Sequence, residues 1–342
     1  MLGTASGQDA TIRENVPLVL IPVTVTDAKG RFLEGLTERD FAVTDEGKPL
    51  QRIQVDTPDT LLAPVALVIA IQTNNLTTPA LAKIREVGSL IQPLLMGERG
   101  QAAVIAYDSE LRVLQPLTGD SVRVRAAFPR LQPRLGKRAV LLDAVAEGVK
   151  MLETRPPNFR RVLLILGESR DRGSLHTLGP VVQDAQRAGV QVYFAAYSAQ
   201  KVAWTSPASG NPPLGDEPMP KNGNSPSIRT NPNEPNNPNN PNSPNYSNYP
   251  NYTGAVLELG RIGKANAASA LADATGGRHR SFATLGGLEA ALSRTGQEIH
   301  NQYLISFVPV ESDNIGFHRI EVRLPQRTGA VLRARPGYWP KK

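Results

Sequence analysis

Between residues 64 and 197 the chain repeats one alternation: short runs made wholly of apolar residues, separated by segments of helical length with one apolar face. "VALVIAI" (65–71) precedes 79–96, "AAVIAY" (102–107) precedes 121–132 and 139–154, "RVLLIL" (161–166) precedes 175–188, and "VQVYFAAY" (190–197) follows. A strand with one wet face alternates apolar and polar residues, so a run without polar members must be buried on both faces. Joined by helices, such runs dictate a mostly parallel, doubly wound α/β sheet covered on both sides. The grammar returns near the end. "ANAASALADATGG" (265–277) reads as a helix with a glycine stop, "RHRSFA" (278–283) as a strand, and 284–300 as a last helix.

The two ends of the chain follow a different rule. "PLVLIPVTVTD" (17–27) and "FAVTDEGKPLQRIQV" (41–55) alternate and turn as antiparallel strands do, and so do "YLISFVPV", "HRIEVRLP" and "AVLRARPGYW" after residue 302. Neither end is large enough to bury its own apolar face, so the two are expected to share one smaller antiparallel β-domain. The expected division is a flexible segment 1–15, a first β-part 16–60, the α/β domain 61–301, and a second β-part 302–342.

One stretch fits neither rule. Residues 203–254 fall into Pro, Asn, Gly and Ser, with Pro at every third position in "NPNEPNNPNNPNSPN" (231–245). That composition offers too little apolar surface to offset ordering, and it reads as a disordered surface insertion with polyproline character. Tyr246, Tyr249 and Tyr252 give it an aromatic docking option beside the plainer role of a solvated spacer. Asn245-Tyr-Ser and Asn251-Tyr-Thr fit the glycosylation sequon.

Composition removes several functions. The chain has 342 residues, 40% of them hydrophobic, and no cysteine, so disulfides, thiolate metal sites and cysteine nucleophiles are excluded. The net charge of +7 is mild for this length and scattered, which argues against nucleic-acid binding. No apolar run approaches the roughly 20 residues that span a bilayer. The start, "MLGTASGQDATIREN", is too short and polar for a whole secretory signal; its "TAS" fits either the remnant of a cleavage site or an ordinary terminus.

The residues also carry a resemblance. "IPVTVTD", "GLTERDF", the apolar middle strands, "LADATGGRHRSF", "EIHNQYLISFVP" and the closing "RPGYW" together resemble bacterial von Willebrand factor type A-related proteins of the Acidobacteria type. The likeness covers nearly the whole chain outside the insertion. It implies a Rossmann-like type A domain with a β-domain built from both termini, an export signal, and a secreted, periplasmic or envelope location.

Type A domains commonly hold Mg²⁺ at a metal-ion-dependent adhesion site, through an Asp-x-Ser-x-Ser loop, a Thr in a second loop and an Asp after the fourth strand. The resemblance places Gln72, Asn74 and Leu76 at the first three positions, Ala139 at the Thr and Glu168 at the Asp. One carboxylate, two amides and two aliphatic side chains make a poor home for a hard cation that wants oxygen ligands and compensating charge. No metal and no other cofactor is therefore expected. Around these positions stand Arg134, Lys137, Arg138, Arg170 and Arg172, on loops that in a doubly wound sheet converge where ligands bind. They read either as solvated loop charges or as a basic rim that receives a partner's carboxylate.

Gly167-Glu-Ser169-Arg-Asp171 resembles a Gly-x-Ser-x-Gly nucleophile elbow without its last glycine, which makes a serine hydrolase using Ser169 the alternative to a binding role. His176 reads as the solvated first turn of a helix. His279, His300 and His318 lack the i, i+4 spacing of a zinc pair and read as surface or half-buried residues. "TGGRHRS" lacks the Lys-Ser/Thr ending of a phosphate loop and reads as a helix stop. The expected function is a non-enzymatic adhesion-type module for an unidentified protein partner, with a structural envelope component as a further alternative.

Overall fold

The structure is a computed structural model and describes residues 18–58, 60, 63–74, 78–197, 267–309 and 316–340. The insertion 203–254, with its tyrosines and sequons, and the segment 1–15 lie outside the described residues.

Six strands form the central sheet: β5 (Val65–Gln72), β6 (Gln101–Tyr107), β7 (Leu111–Thr118), β8 (Arg160–Gly167), β9 (Val190–Tyr197) and β10 (His279–Phe282). Their order is β10-β9-β8-β5-β6-β7, all parallel except β7, which pairs antiparallel with β6. Every residue of β5 and β9 is buried, as their unbroken apolar runs require.

Alternate residues of each strand feed two cores. Leu67, Ile69 and Ile71 face one side, where α1 (Thr78–Glu86), α2 (Ser121–Ala127) and α6 (Leu285–His300) pack. Ala66, Val68 and Ala70 face the other, under α3 (Leu141–Glu153), α4 (Leu178–Arg187) and α5 (Ala267–Thr275). Small residues set the helix heights. A Cβ on Gly148 of α3 would meet the Leu163 side chain at 2.7 Å, and one on Gly296 of α6 would collide with the Leu94 carbonyl oxygen.

Strands from both ends of the chain build two four-stranded antiparallel sheets. One has the order β13 (Val331–Arg333), β1 (Val19–Thr26), β11 (Tyr303–Phe307), β4 (Gln54–Asp56). The other runs β14 (Gly337–Tyr338), β12 (His318–Arg323), β2 (Ala42–Asp45), β3 (Lys48–Pro49). Ile21, Val23, Phe41, Tyr303, Ile305, Phe307, Ile320 and Tyr338 belong to one buried apolar cluster that draws on both sheets. The Tyr303 hydroxyl donates to the Leu33 carbonyl and accepts from the Leu36 N–H.

Buried polar groups join the sandwich to the α/β unit. Glu298 of α6 takes Arg280 on one carboxylate oxygen and Arg333 of β13 on the other. Gln302, just before β11, donates to the Thr24 hydroxyl and to Tyr193 Oη, and its carbonyl side accepts from Arg160 at 2.6 Å.

Four features differ from the sequence reading. The strand β7 was not foreseen. The segment 79–96 is not one helix: α1 gives way to a 3₁₀ turn at Val87–Leu90 and a π turn at Gln92–Met96, where Pro93 has no N–H for regular pairing. His176 precedes α4, and its Nδ1 lies 2.7 Å from Asp143. His318 is fully buried beside Asp45, whose other oxygen accepts from the Tyr338 hydroxyl at 2.8 Å. Among the described residues no helix is long and apolar enough to cross a membrane.

Candidate functional site

The chain leaves β5 for β6 on one side of the sheet and later returns to place β8 on the other side. This is the reversal of winding direction that opens a crevice at the carboxyl ends of the strands. The loops after β5 and β8 flank it, and the loop 132–140 crosses above. Three backbone contacts fix that crossing loop: Arg134 N–H to the Thr73 carbonyl at 2.7 Å, Val140 N–H to the Asp108 carbonyl at 2.8 Å, and a two-bond exchange between Ala139 and Arg172.

Gln72 and Glu168, far apart in sequence, meet across the crevice. The Gln72 side-chain carbonyl accepts the Glu168 N–H at 2.7 Å, and its NH₂ donates to the Glu168 carboxylate at 3.3 Å. The same carboxylate oxygen accepts from Arg172 Nε at 3.3 Å. Asn74 donates its side-chain NH₂ to the carbonyls of Lys137 and Arg138. Ala139 is buried and offers only backbone; Leu76 lies outside the described residues. This set does not fit a divalent cation. Its one carboxylate already has an amide and a guanidinium on it, and hard-ion binding needs several charged oxygens free to converge. Among the described residues no group of three or more His, Asp or Glu converges as a metal cage would.

The basic residues divide into two kinds. Arg172 is half-buried and bound to Glu168, so it differs from the expected open rim cation. Arg134, Lys137, Arg138 and Arg170 are exposed, and among the described residues none has an acidic partner. Arg138 donates to the Gly173 carbonyl at 3.0 Å, which ties its loop to the one after β8. Gly173 has φ 114°, a backbone that favours glycine there.

Sequence reasoning passed over three carboxylates at the same edge. Asp108, buried after β6, accepts from Arg112 at 2.6 Å and from the Thr73 hydroxyl at 2.9 Å. Burial pushes its carboxyl up, but Arg112, Thr73 and the Glu110 N–H outweigh that and hold it below the usual carboxylate range. Asp171 accepts the Ser174 hydroxyl and the N–H groups of Leu142, Gly173 and Ser174, tying the loop after β8 to the start of α3. Asp143 receives the Leu175 and His176 N–H groups. A short-range signal existed in Asp108 four residues before Arg112, but Asp108 also binds Thr73 from the loop after β5, and Asp171 and Asp143 tie the loop after β8 to α3 across some thirty residues.

His279 was also missed as a partner. Its Nε2 lies 2.8 Å from the Ser169 hydroxyl, because β10 lies two strands from β8. Burial lowers the imidazole below its ordinary value, against the charge of Asp273, so the ring is neutral at pH 7. Among the described residues no carboxylate hydrogen-bonds its other nitrogen. Ten residues of loop separate β8 from α4, so Ser169 does not stand on a tight strand-to-helix elbow.

No protein-family model and no curated protein matches the chain. Among solved structures it is similar to the conserved hypothetical protein BatB from Bacteroides thetaiotaomicron at 14% identity, over 39% of this chain and 66% of that one, with a TM-score of 0.35. The chain thus spans just under two thirds of that protein's length. It is also similar to the SpRpn10 VWA domain (14% identity, 40% and 79% covered, TM-score 0.29). A third similarity is to the vWF domain of the type V pili tip protein Mfa5 from Porphyromonas gingivalis (17% identity, 32% and 39% covered, TM-score 0.27). Values this low leave the fold to its own topology and the function to its own residues.

Proposed function

We propose that the chain is a non-enzymatic protein-binding module of the von Willebrand type A kind, which captures a carboxylate of its partner without a metal ion. One observation carries the reading. The crevice where an ion would sit is closed by Gln72, Glu168 and Arg172, while Arg134, Lys137, Arg138 and Arg170 face solvent and, among the described residues, have no acidic partner. Guanidinium groups grip carboxylates in a fixed two-pronged geometry, so Arg138 and Arg170 on two adjoining loops supply the positive charge that a metal otherwise provides.

Two measurements test it. A ligand at about a hundredfold its dissociation constant stabilises the folded state by roughly 2.7 kcal/mol, so Mg²⁺, Mn²⁺ and Ca²⁺ at millimolar concentration should leave the melting temperature unchanged. A clear shift in the unmodified protein overturns the metal-free reading. Partner capture should resist chelators and weaken with salt, since exposed charges are screened over about 8 Å at physiological ionic strength. The double variant R138E/R170E should lose it while keeping its fold. We assign the module to the cell envelope or its exterior on the strength of the sequence resemblance; fractionation of the native host tests that assignment.

The contact between Ser169 and a neutral His279 favours a second reading, a serine nucleophile. It lacks the sharp elbow and an orienting carboxylate. Labelling of Ser169 by a fluorophosphonate probe, abolished by H279Q, would move this reading to first place.

A further inference from the structure

Among the described residues, Leu135 and Leu175 are the two most exposed of the large hydrophobic side chains, at 96% and 90%. Isolated exposed leucines are ordinary on protein surfaces. These two stand within the loops that carry the four exposed basic residues: Leu135 follows Arg134 and precedes Lys137 and Arg138, and Leu175 lies five residues beyond Arg170. The loops are fastened together by the Ala139–Arg172 exchange and by Arg138 on the Gly173 carbonyl. Leu175 is itself positioned, its N–H held by the Asp143 carboxylate at 3.0 Å. An apolar side chain on a pinned backbone, in open solvent, is a feature that folding alone does not call for.

We infer that this rim docks an acidic segment of a partner protein that also carries aliphatic side chains, with Leu135 and Leu175 as apolar anchors and Arg134, Lys137, Arg138 and Arg170 as its charge partners. The inference rests on the proposed carboxylate-binding function and names the partner's chemistry. Charge complementarity selects acidic residues, and three of the four exposed basic residues are arginines, which suit carboxylates geometrically. Two leucines add a contribution that salt does not screen, so binding should keep a salt-resistant remainder after the ionic part is lost. A recognition surface with both components discriminates among acidic chains by their apolar residues, which charge alone does not do.

The test uses the full chain and three short synthetic peptides of equal length: Asp/Glu with interspersed Leu, the same acidic residues with Ser in place of Leu, and a Gln/Leu peptide without charge. Fluorescence anisotropy should show the acidic leucine peptide binding about tenfold or more tightly than the acidic serine peptide. L135S/L175S should erase that difference and leave the serine peptide's affinity unchanged; L135M/L175M should preserve it. Equal affinity for the two acidic peptides, both weakened by R138E/R170E, overturns the apolar anchors and leaves carboxylate capture standing. Indifference of both acidic peptides to R138E/R170E overturns the function itself. Retention of the chain on phosphatidylserine vesicles, lost in L135S/L175S, without discrimination among the peptides assigns the rim to a lipid surface and overturns the protein partner. Circular dichroism and thermal unfolding of each variant separate these outcomes from misfolding.

Discussion

Asp108 shows how a single side chain is committed at the carboxyl edge. It is buried, and its charge is answered by Arg112 at 2.6 Å and the Thr73 hydroxyl. D108N should therefore cost about 3 kcal/mol in urea unfolding at neutral pH, because Arg112 loses its counter-charge in a poorly solvated place. The sign with pH follows from the lowered carboxyl. A depressed folded-state value means the stabilisation is complete above the unfolded value of about 3.9 and fades as pH falls through the lower folded one. The gap between wild type and D108N should thus stay constant from pH 8 to about pH 5 and narrow below about pH 4; a gap that widens on acidification would contradict the assignment. Of the site, the positions Gln72, Asn74, Ala139 and Glu168 were named through the resemblance alone, which aligned them with a known loop pattern. Their partners were not. Gln72 with Glu168, Ser169 with His279, and Arg172 with Ala139 are set by strand order and loop crossing, which one-dimensional spacing does not contain.

At the scale of the element, legibility followed burial. Strands closed on both faces declare themselves through unbroken apolar runs, as β5, β8 and β9 do. β7 does not: "LRVLQPLT" is half-exposed, contains Pro116, and meets β6 through two register irregularities, so no period of two survives. Its place at the sheet's edge is what permits that sequence. Helix spacing was hidden for a different reason, since it depends on residues that are absent as side chains. α6 lies against the π turn of Gln92–Met96 with Gly296 facing the Leu94 carbonyl. G296V must push the two apart, and such overpacking typically costs about 1–3 kcal/mol. Urea unfolding of G296V should show that loss, whereas G286A, on the open side of the same helix, should be unchanged or slightly stabilised.

Over the whole molecule, Glu298 is the polar junction between the sandwich and the α/β unit, with Arg280 and Arg333 on its two oxygens. Removing its charge leaves two poorly solvated guanidiniums facing each other, so E298Q should destabilise by about 3–5 kcal/mol. E298Q/R333M should regain part of that, and an equal or larger loss in the double variant would show that Arg333 does its work through its hydrogen bonds to the Gly276 and Gly277 carbonyls instead. The pairing of β1 has a consequence in time. Val19 lies opposite Phe307, and β1's other neighbour is β13, so both of its partners follow it by more than 270 residues. At about 5–20 residues per second, a ribosome exposes "VLIPVTVT" for roughly a quarter of a minute to a minute before either partner emerges. Through that interval the chain carries an apolar strand with two bare edges, the kind of surface that pairs with strangers. Shielding of β1 during synthesis should therefore raise the yield of folded protein, and that yield is expected to change with the speed of translation.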